Sequence, residues 1–263
     1  MMIYQYRRKI DPFDDNGVRT YESEKGLQYL VSLLKSGSMK FTSPAEFNDP
    51  FDCCSTLFSE ELENSLPHDM ADHINRSQQL ILSKSAGVAC FTTKANNMLM
   101  WSHYGDQHRS VCVGFDSDEL EGNVVRNSEG NPLHHKLEKV GYVNTRASEG
   151  NMGVYYHKSP CWGYEDEYRL ISSWKKGEPM WGPGVWGISE TSIREVVLGA
   201  RMRPETKEEV IALVRSISPH VSIKFIVPHR STYELLVVDI EDQSSIAPMS
   251  ATLHDANGNW QDI

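Results

Sequence analysis

An α+β fold is expected: a single domain around a mixed or split central sheet, with a helical layer inserted at about 59–84. Three observations carry this. Strand-like segments are scattered among a few helices without the regular strand-helix alternation of a doubly wound sheet, and no stretch repeats. No Ser/Gly/Pro-rich linker divides the 263 residues, so 1–242 reads as one domain and 243–263 as a C-terminal tail.

The elements follow in order. Ile3 to Lys9 has strand composition, and Asp11-Pro12 with Asp14-Asp15-Asn16-Gly17 supplies the turn chemistry after it. Ser23 is placed to cap a helix in which Leu27, Leu30, Val31 and Leu34 share one face, with Gly37 to stop it. Met39 to Ser43 reads as a short strand running into a loop at Pro44. Residues 59–84 are polar and helix-prone, with Leu62, Leu66, Met70, Ile74 and Leu80 in partial periodicity.

Gly87 to Thr93 and Val111 to Phe115 are strand-like and flank a short helix within Asn97 to His108, where Trp101 and Tyr104 stand three apart on one face. Val140 to Thr145 and Glu167 to Trp174 continue as strands. Lys175 to Gly187, dense in Gly and Pro with two Trp, reads as a long loop. Ile193 to Leu198 reads as a strand and Pro204 opens a helix carrying Val210, Ile211, Val214 and Ile217. Val221 to Val227 and Tyr233 to Ile240 are strands.

Composition narrows the function. With 36 acidic against 26 basic residues the net charge is -10, which opposes nonspecific attraction to nucleic acid or anionic lipid. No run approaches the roughly 20 apolar residues of a membrane span, and the opening Met-Met-Ile-Tyr-Gln-Tyr lacks the core of a signal peptide. Five cysteines, two of them adjacent at Cys53 and Cys54, do not make a disulfide framework, so a cytoplasmic protein is expected.

Three blocks concentrate chemistry. Phe47-Asn48-Asp49-Pro50-Phe51-Asp52 gathers amide and acids on a loop, where Asn48 and Asp49 either line a site or fix a turn through side-chain-to-backbone bonds. Met100 to His108 holds Trp101, His103, Tyr104 and His108, which suit a flat ligand or, equally, an amphipathic core edge. Trp162-Gly163-Tyr164-Glu165-Asp166-Glu167-Tyr168-Arg169 sets three acids where an apolar strand begins. An early strand start would put Glu165 and Glu167 on one face, either as a working carboxylate pair or as a solvated strand end tied by Arg169. No metal is expected, because the His and Cys spacings match neither zinc fingers nor metalloproteases. The Walker and Gly-x-Gly-x-x-Gly fingerprints are absent.

The order of Tyr4-Gln5-Tyr6-Arg7, Phe41-Thr42-Ser43-Pro44 with Phe47 to Asp52, Met100 to His108, and Trp162 to Arg169 resembles a bacterial family called domain of unknown function 2971. The similarity runs from about Ile3 to beyond Gly199, with Ser110 where that family usually has glycine. More distantly the layout resembles ADP-ribosyltransferases of the DNA-modifying toxin type, which implies an ADP-ribosyltransferase-like fold for 1–242. That resemblance implies NAD as substrate, cleaved at its nicotinamide-ribose bond, with Glu167 as the acid that holds a ribose hydroxyl and Glu165 as its competitor. It also implies Tyr6 and Arg7 on ribose or phosphate, Ser43, Asn48 and Asp49 among the cofactor contacts, Lys94 or His103 on a phosphate or acceptor, and Tyr104 with Trp101 against nicotinamide. The usual His-Tyr-Glu or Arg-Ser-Glu triad is not present in clear form.

The expected function is therefore ADP-ribose transfer to an unknown acceptor (a protein, a nucleic-acid end or a small molecule), with a role in phage defence or a toxin system by analogy alone. The alternatives are a noncatalytic nucleotide-binding sensor and a metal-dependent hydrolase or nuclease built on Glu165, Glu167, Asp49 and Asp52.

Overall fold

The structure, a computed structural model, describes residues 1–13, 18–19, 21–53, 65, 67, 69–70, 73–74, 76–77, 80–81, 86–122, 136–145, 152–173 and 183–240. The architecture is α+β: a mixed sheet and a few helices. Most of the expected insertion at 59–84, and the tail at 243–263, lie outside the described residues. By their contacts the residues form two compact units, 1–38 with 92–122 and 188–263, and 39–91 with 123–187.

The first unit holds β1 (Met2–Tyr6), β4 (Val111–Asp116), β10 (Ile193–Leu198), β11 (Ser222–Pro228) and β12 (Leu235–Asp239), hydrogen-bonded in the order β12-β11-β10-β4-β1. β1 runs antiparallel to β4 from Met2 opposite Asp116 to Tyr6 opposite Cys112. β4 is antiparallel to β10 with a bulge between Ile193 and Glu195, β10 is parallel to β11, and β12 returns antiparallel. A parallel neighbour needs a crossover, and α4 (Pro204–Ile217) supplies it, opening on the expected Pro204. Val210 and Val214 of α4 are buried, as are Leu27, Leu30, Leu33 and Leu34 of α1 (Tyr21–Ser36). The periodic face foreseen for α1 thus holds, with Leu33 taking the core place expected of the half-buried Val31.

Gly37 ends α1 as foreseen, at φ +58, and a Cβ there would stand 2.0 Å from the carbonyl oxygen of Ile188. Arg19 ties the two helices by bonding Glu24 at 2.7 Å and Glu209 at 3.0 Å. α2 (Met98–Tyr104) is capped by Asn97, whose Oδ1 accepts from the backbone N–H groups of Leu99 and Met100. A short α3 (Ser117–Gly122) follows β4.

The second unit is built on β3 (Ala86–Thr92), β8 (Glu167–Ser173) and β5 (Glu138–Lys139) in that order, with β5 antiparallel to β8 and Glu138 opposite Arg169. β2 (Ser38–Phe41) pairs with β9 (Gly184–Gly187), a strand at the end of the segment expected to be wholly loop. β6 (Gly141–Tyr142) lies parallel to β7 (His157–Lys158). These pieces replace the single strand expected at 140–145. Cys53, Ala86, Val88, Val154, Tyr155 and Ile171 form the apolar core, with Phe47 and Cys90 packed against it.

Candidate functional site

The acidic block resolves into a buried ionic cluster inside the second unit. A 3-10 turn over Pro160–Glu165 ends at Asp166 in the left-handed region (φ 44, ψ 53), and β8 starts at Glu167. The strand does not start early, so strand alternation does not align the two glutamates. The left-handed Asp166 aligns them instead, turning its own side chain to Lys139 at 2.7 Å while Glu165 and Glu167 reach one lysine. Lys158 Nζ on β7 stands 2.5 Å from Glu165 Oε2, 3.1 Å from Glu167 Oε2 and 3.5 Å from Asp52 Oδ2. Its charge also faces the Trp162 ring at 4.9 Å.

Arg169 completes the cluster and is wholly buried. It donates from Nε to Glu167 Oε1 at 2.7 Å and from Nη2 to Glu167 Oε2 at 3.0 Å. A second fork runs from Nη1 and Nη2 to Asp52 Oδ1 and Oδ2 at 2.8 and 2.7 Å, and Nη1 also donates to the Tyr155 carbonyl at 2.7 Å. All five guanidinium N–H groups are thereby used, which is what makes a buried arginine tolerable. Its face lies over the Phe47 ring at 5.6 Å. The Glu167 backbone N–H donates to the Tyr142 hydroxyl at 2.9 Å.

Burial by itself would raise the Glu167 carboxyl, but Arg169 and Lys158 more than offset it and hold the group ionised well below the usual carboxylate range. Burial would likewise lower Lys158 and Arg169, and the surrounding carboxylates, Glu167 foremost, drive both upward instead. Cys53 and Cys90 border the cluster. Burial pushes both thiols up, so neither is a ready thiolate. Formally, three carboxylates (Asp52, Glu165, Glu167) meet two cations (Lys158, Arg169), and the cluster keeps one negative charge.

The other sequence-selected residues fall as follows. Ser43 caps a 3-10 turn over Pro44–Glu46 by accepting from Ala45 N at 3.2 Å. Asn48 is exposed, while Asp49 is buried and accepts from Phe51 N at 2.9 Å, the turn-fixing contact considered for this block. The second oxygen of Asp49 is buried with no hydrogen-bond partner among the described residues.

Tyr6, Arg7, Lys94, Trp101, His103 and Tyr104 belong to the first unit. The Tyr6 hydroxyl donates to the Lys94 carbonyl at 2.9 Å, and its ring meets Trp101 edge-on at 5.0 Å. Trp101 is wholly buried with its indole N–H on the Ala95 carbonyl at 2.7 Å, which makes it a core residue here rather than a surface for stacking. His103 is exposed and Tyr104 half-buried, their rings edge to face at 6.1 Å. Arg7 keeps Nε and Nη2 buried with no hydrogen-bond partner among the described residues.

Lys158 is thus the member that the sequence reading passed over, while Asp52 entered only through the hydrolase alternative and Arg169 only as the tie of a strand end. Arg169 had a readable signal, since residues two apart on a strand share a face and Glu167 precedes it by two. Lys158 sits on a two-residue strand and Asp52 reaches its partner across 117 positions, and neither has a local signature. Among the described residues no three His, Cys, Asp or Glu side chains are disposed to hold a metal ion, and no helix is long and apolar enough to cross a membrane.

No curated protein and no solved structure matches the chain. Residues 100–170 match the model of a family described as protein of unknown function DUF2971, a span that holds the Met100 to His108 block, Lys158, both glutamates and Arg169; the chain is similar to that family there, over less than the expected span from Ile3 to beyond Gly199.

Proposed function

We propose that this protein is a cytoplasmic ADP-ribosyltransferase-like enzyme that consumes NAD and uses Glu167 as its acid. The observation that carries this reading is a buried glutamate at the head of a strand, kept ionised and held by one forked contact from Arg169 and a second contact from Lys158, in a cluster with one surplus negative charge. In the reaction the bond between the ribose anomeric carbon and the pyridinium nitrogen breaks, and its electron pair leaves with neutral nicotinamide. The sugar becomes oxocarbenium-like, a preorganised carboxylate stabilises that positive charge, and an acceptor nucleophile then bonds to the anomeric carbon and releases its proton. Lys158 contacts both Glu165, at 2.5 Å, and Glu167, at 3.1 Å, so it keeps a carboxylate partner when a ribose hydroxyl takes its place on Glu167. The acidic balance of the chain favours a protein, a short nucleic-acid end or a small molecule as acceptor over a long nucleic-acid footprint.

Nicotinamide release from NAD by purified protein tests the reading, with Glu167→Gln beside the wild type, cell extract as acceptor source, and circular dichroism to check folding. Release by the wild type that falls by about 100-fold or more in the folded variant is expected. Equal release by both sinks the assignment. One observation favours a second reading, the noncatalytic nucleotide-binding sensor: both oxygens of Glu167 are already held by Arg169 and Lys158. Saturable NAD binding with no turnover under any condition would select the sensor.

A further inference from the structure

We infer that Asp52 is a positioning residue for Glu167, acting through Arg169; the catalytic half of this inference rests on the function proposed above. Arg169 has two forks, and each carboxylate occupies one. Asp52 takes Nη1 and Nη2 at 2.8 and 2.7 Å, and Glu167 takes Nε and Nη2 at 2.7 and 3.0 Å. A guanidinium is planar and rigid, so fixing one fork fixes the direction of the other. Asp52, itself 7% exposed, sets the rotation of the guanidinium and with it the plane of the Glu167 carboxylate.

Asp52 has a second effect through charge. It is the third carboxylate in a cluster with two cations, and it shares both Arg169 and Lys158 with Glu167. Replacing its charge with a neutral group leaves the remaining acids fully matched by cations, and no surplus negative charge faces a developing oxocarbenium. The last residue of Phe47 to Asp52 thus braces the last residue of Trp162 to Arg169 across 117 positions.

Two readouts test the inference on the full chain. The first is hydrogen exchange of the Arg169 Nε–H, followed by NMR and assigned by the signal that Arg169→Lys removes. In Asp52→Asn its protection is expected to fall by about tenfold or more, and to fall likewise in Glu167→Gln. The second is steady-state kinetics, where Asp52→Asn is expected to lower kcat by about 30-fold while KM for NAD stays within about threefold, and Asp52→Glu to recover part of kcat. Unchanged Nε–H protection in folded Asp52→Asn overturns the brace, whether or not the wild type turns NAD over. Lost protection with unchanged kcat overturns the catalytic half alone. A wild type without turnover refutes the proposed function, and the exchange readout then decides the brace by itself. Should Asp52→Asn fail to fold, Asp52→Ser, which also removes the carboxylate, carries both measurements, and wild-type values in it overturn the inference.

Discussion

Arg7 is half-buried, yet part of its guanidinium is sealed from solvent. Its Nε and Nη2 are buried with no hydrogen-bond partner among the described residues, and burial pushes its pKa down to about 10. A buried charge without a counter-ion is destabilising by several kcal/mol, and an apolar side chain of similar length relieves it. Arg7→Met is therefore expected to raise stability by about 1–3 kcal/mol, read from urea unfolding midpoints. If Arg7 holds a phosphate of a ligand, inorganic pyrophosphate will raise the Tm of the wild type and leave that of Arg7→Met unmoved. A variant less stable than the wild type, together with no pyrophosphate effect on either, would make Arg7 a structural residue. The sequence marks Arg7 as polar at the end of a polar first strand. That its Nε and Nη2 find no hydrogen-bond partner among the described residues is a tertiary fact that no local pattern carries.

At the scale of elements, the turn after α2 is unusual. Asp106, Gln107 and His108 lie in succession in the left-handed region at φ 50, 53 and 69, and none is glycine. The turn is held at both ends: Gly105 and His108 N–H groups donate to the Trp101 carbonyl, and Ser110 N donates to the Gly105 carbonyl. The chain beyond β10 then closes on it. Arg201 N donates to the His108 carbonyl at 2.9 Å, and a Cβ on Gly199 would stand 2.2 Å from that same oxygen. Left-handed backbone costs about 1–2 kcal/mol per non-glycine residue, against which glycine brings its own unfolded-state entropy. Gln107 is exposed, so Gln107→Gly is expected to stabilise by about 0.5–1 kcal/mol, seen as a rise of about 1–4 °C in Tm. A lower Tm would mean the turn draws support from the Gln107 side chain. Helices with a clear apolar face, α1 and α4, were legible in the sequence because a period of 3.6 is a local signal. β9 was not: its Gly184 and Gly187 read as loop, and its strand character comes from pairing with β2. The left-handed run was equally hidden, since Asp, Gln and His do not announce positive φ as glycine does.

At the scale of the molecule, the ionic cluster ties stability to pH in two opposite directions. Part of it was legible, because Glu165, Glu167 and Arg169 stand together in the sequence and Asp52 closes another polar block; Lys158, and the meeting of Asp52 with Arg169, arrive only through the fold. Glu167 is held below its ordinary range, so its contribution is fully present above the unfolded carboxyl pKa of about 4.3 and is lost as pH falls toward its folded value. Lys158 is held above its ordinary range, so its contribution is fully present below about 10.4 and fades as pH rises beyond that. The wild type should therefore show a plateau of stability between about pH 5 and 10 with a fall on each side. Glu167→Gln removes the group responsible for part of the acid limb. It is expected to be less stable than wild type at pH 7 by about 3–5 kcal/mol, since Arg169 and Lys158, both buried, lose the charge-assisted bonds they make to Glu167. The gap should narrow by up to about 1.4 kcal/mol per pH unit below about 4.3, as the wild type is forced to protonate the same site. Urea unfolding of both proteins at pH 3, 4, 7 and 9 reads this directly. Parallel acid limbs would show that Glu167 titrates alike in folded and unfolded chains. In that case neither the clamp by Arg169 nor the contact with Lys158 would be holding its charge.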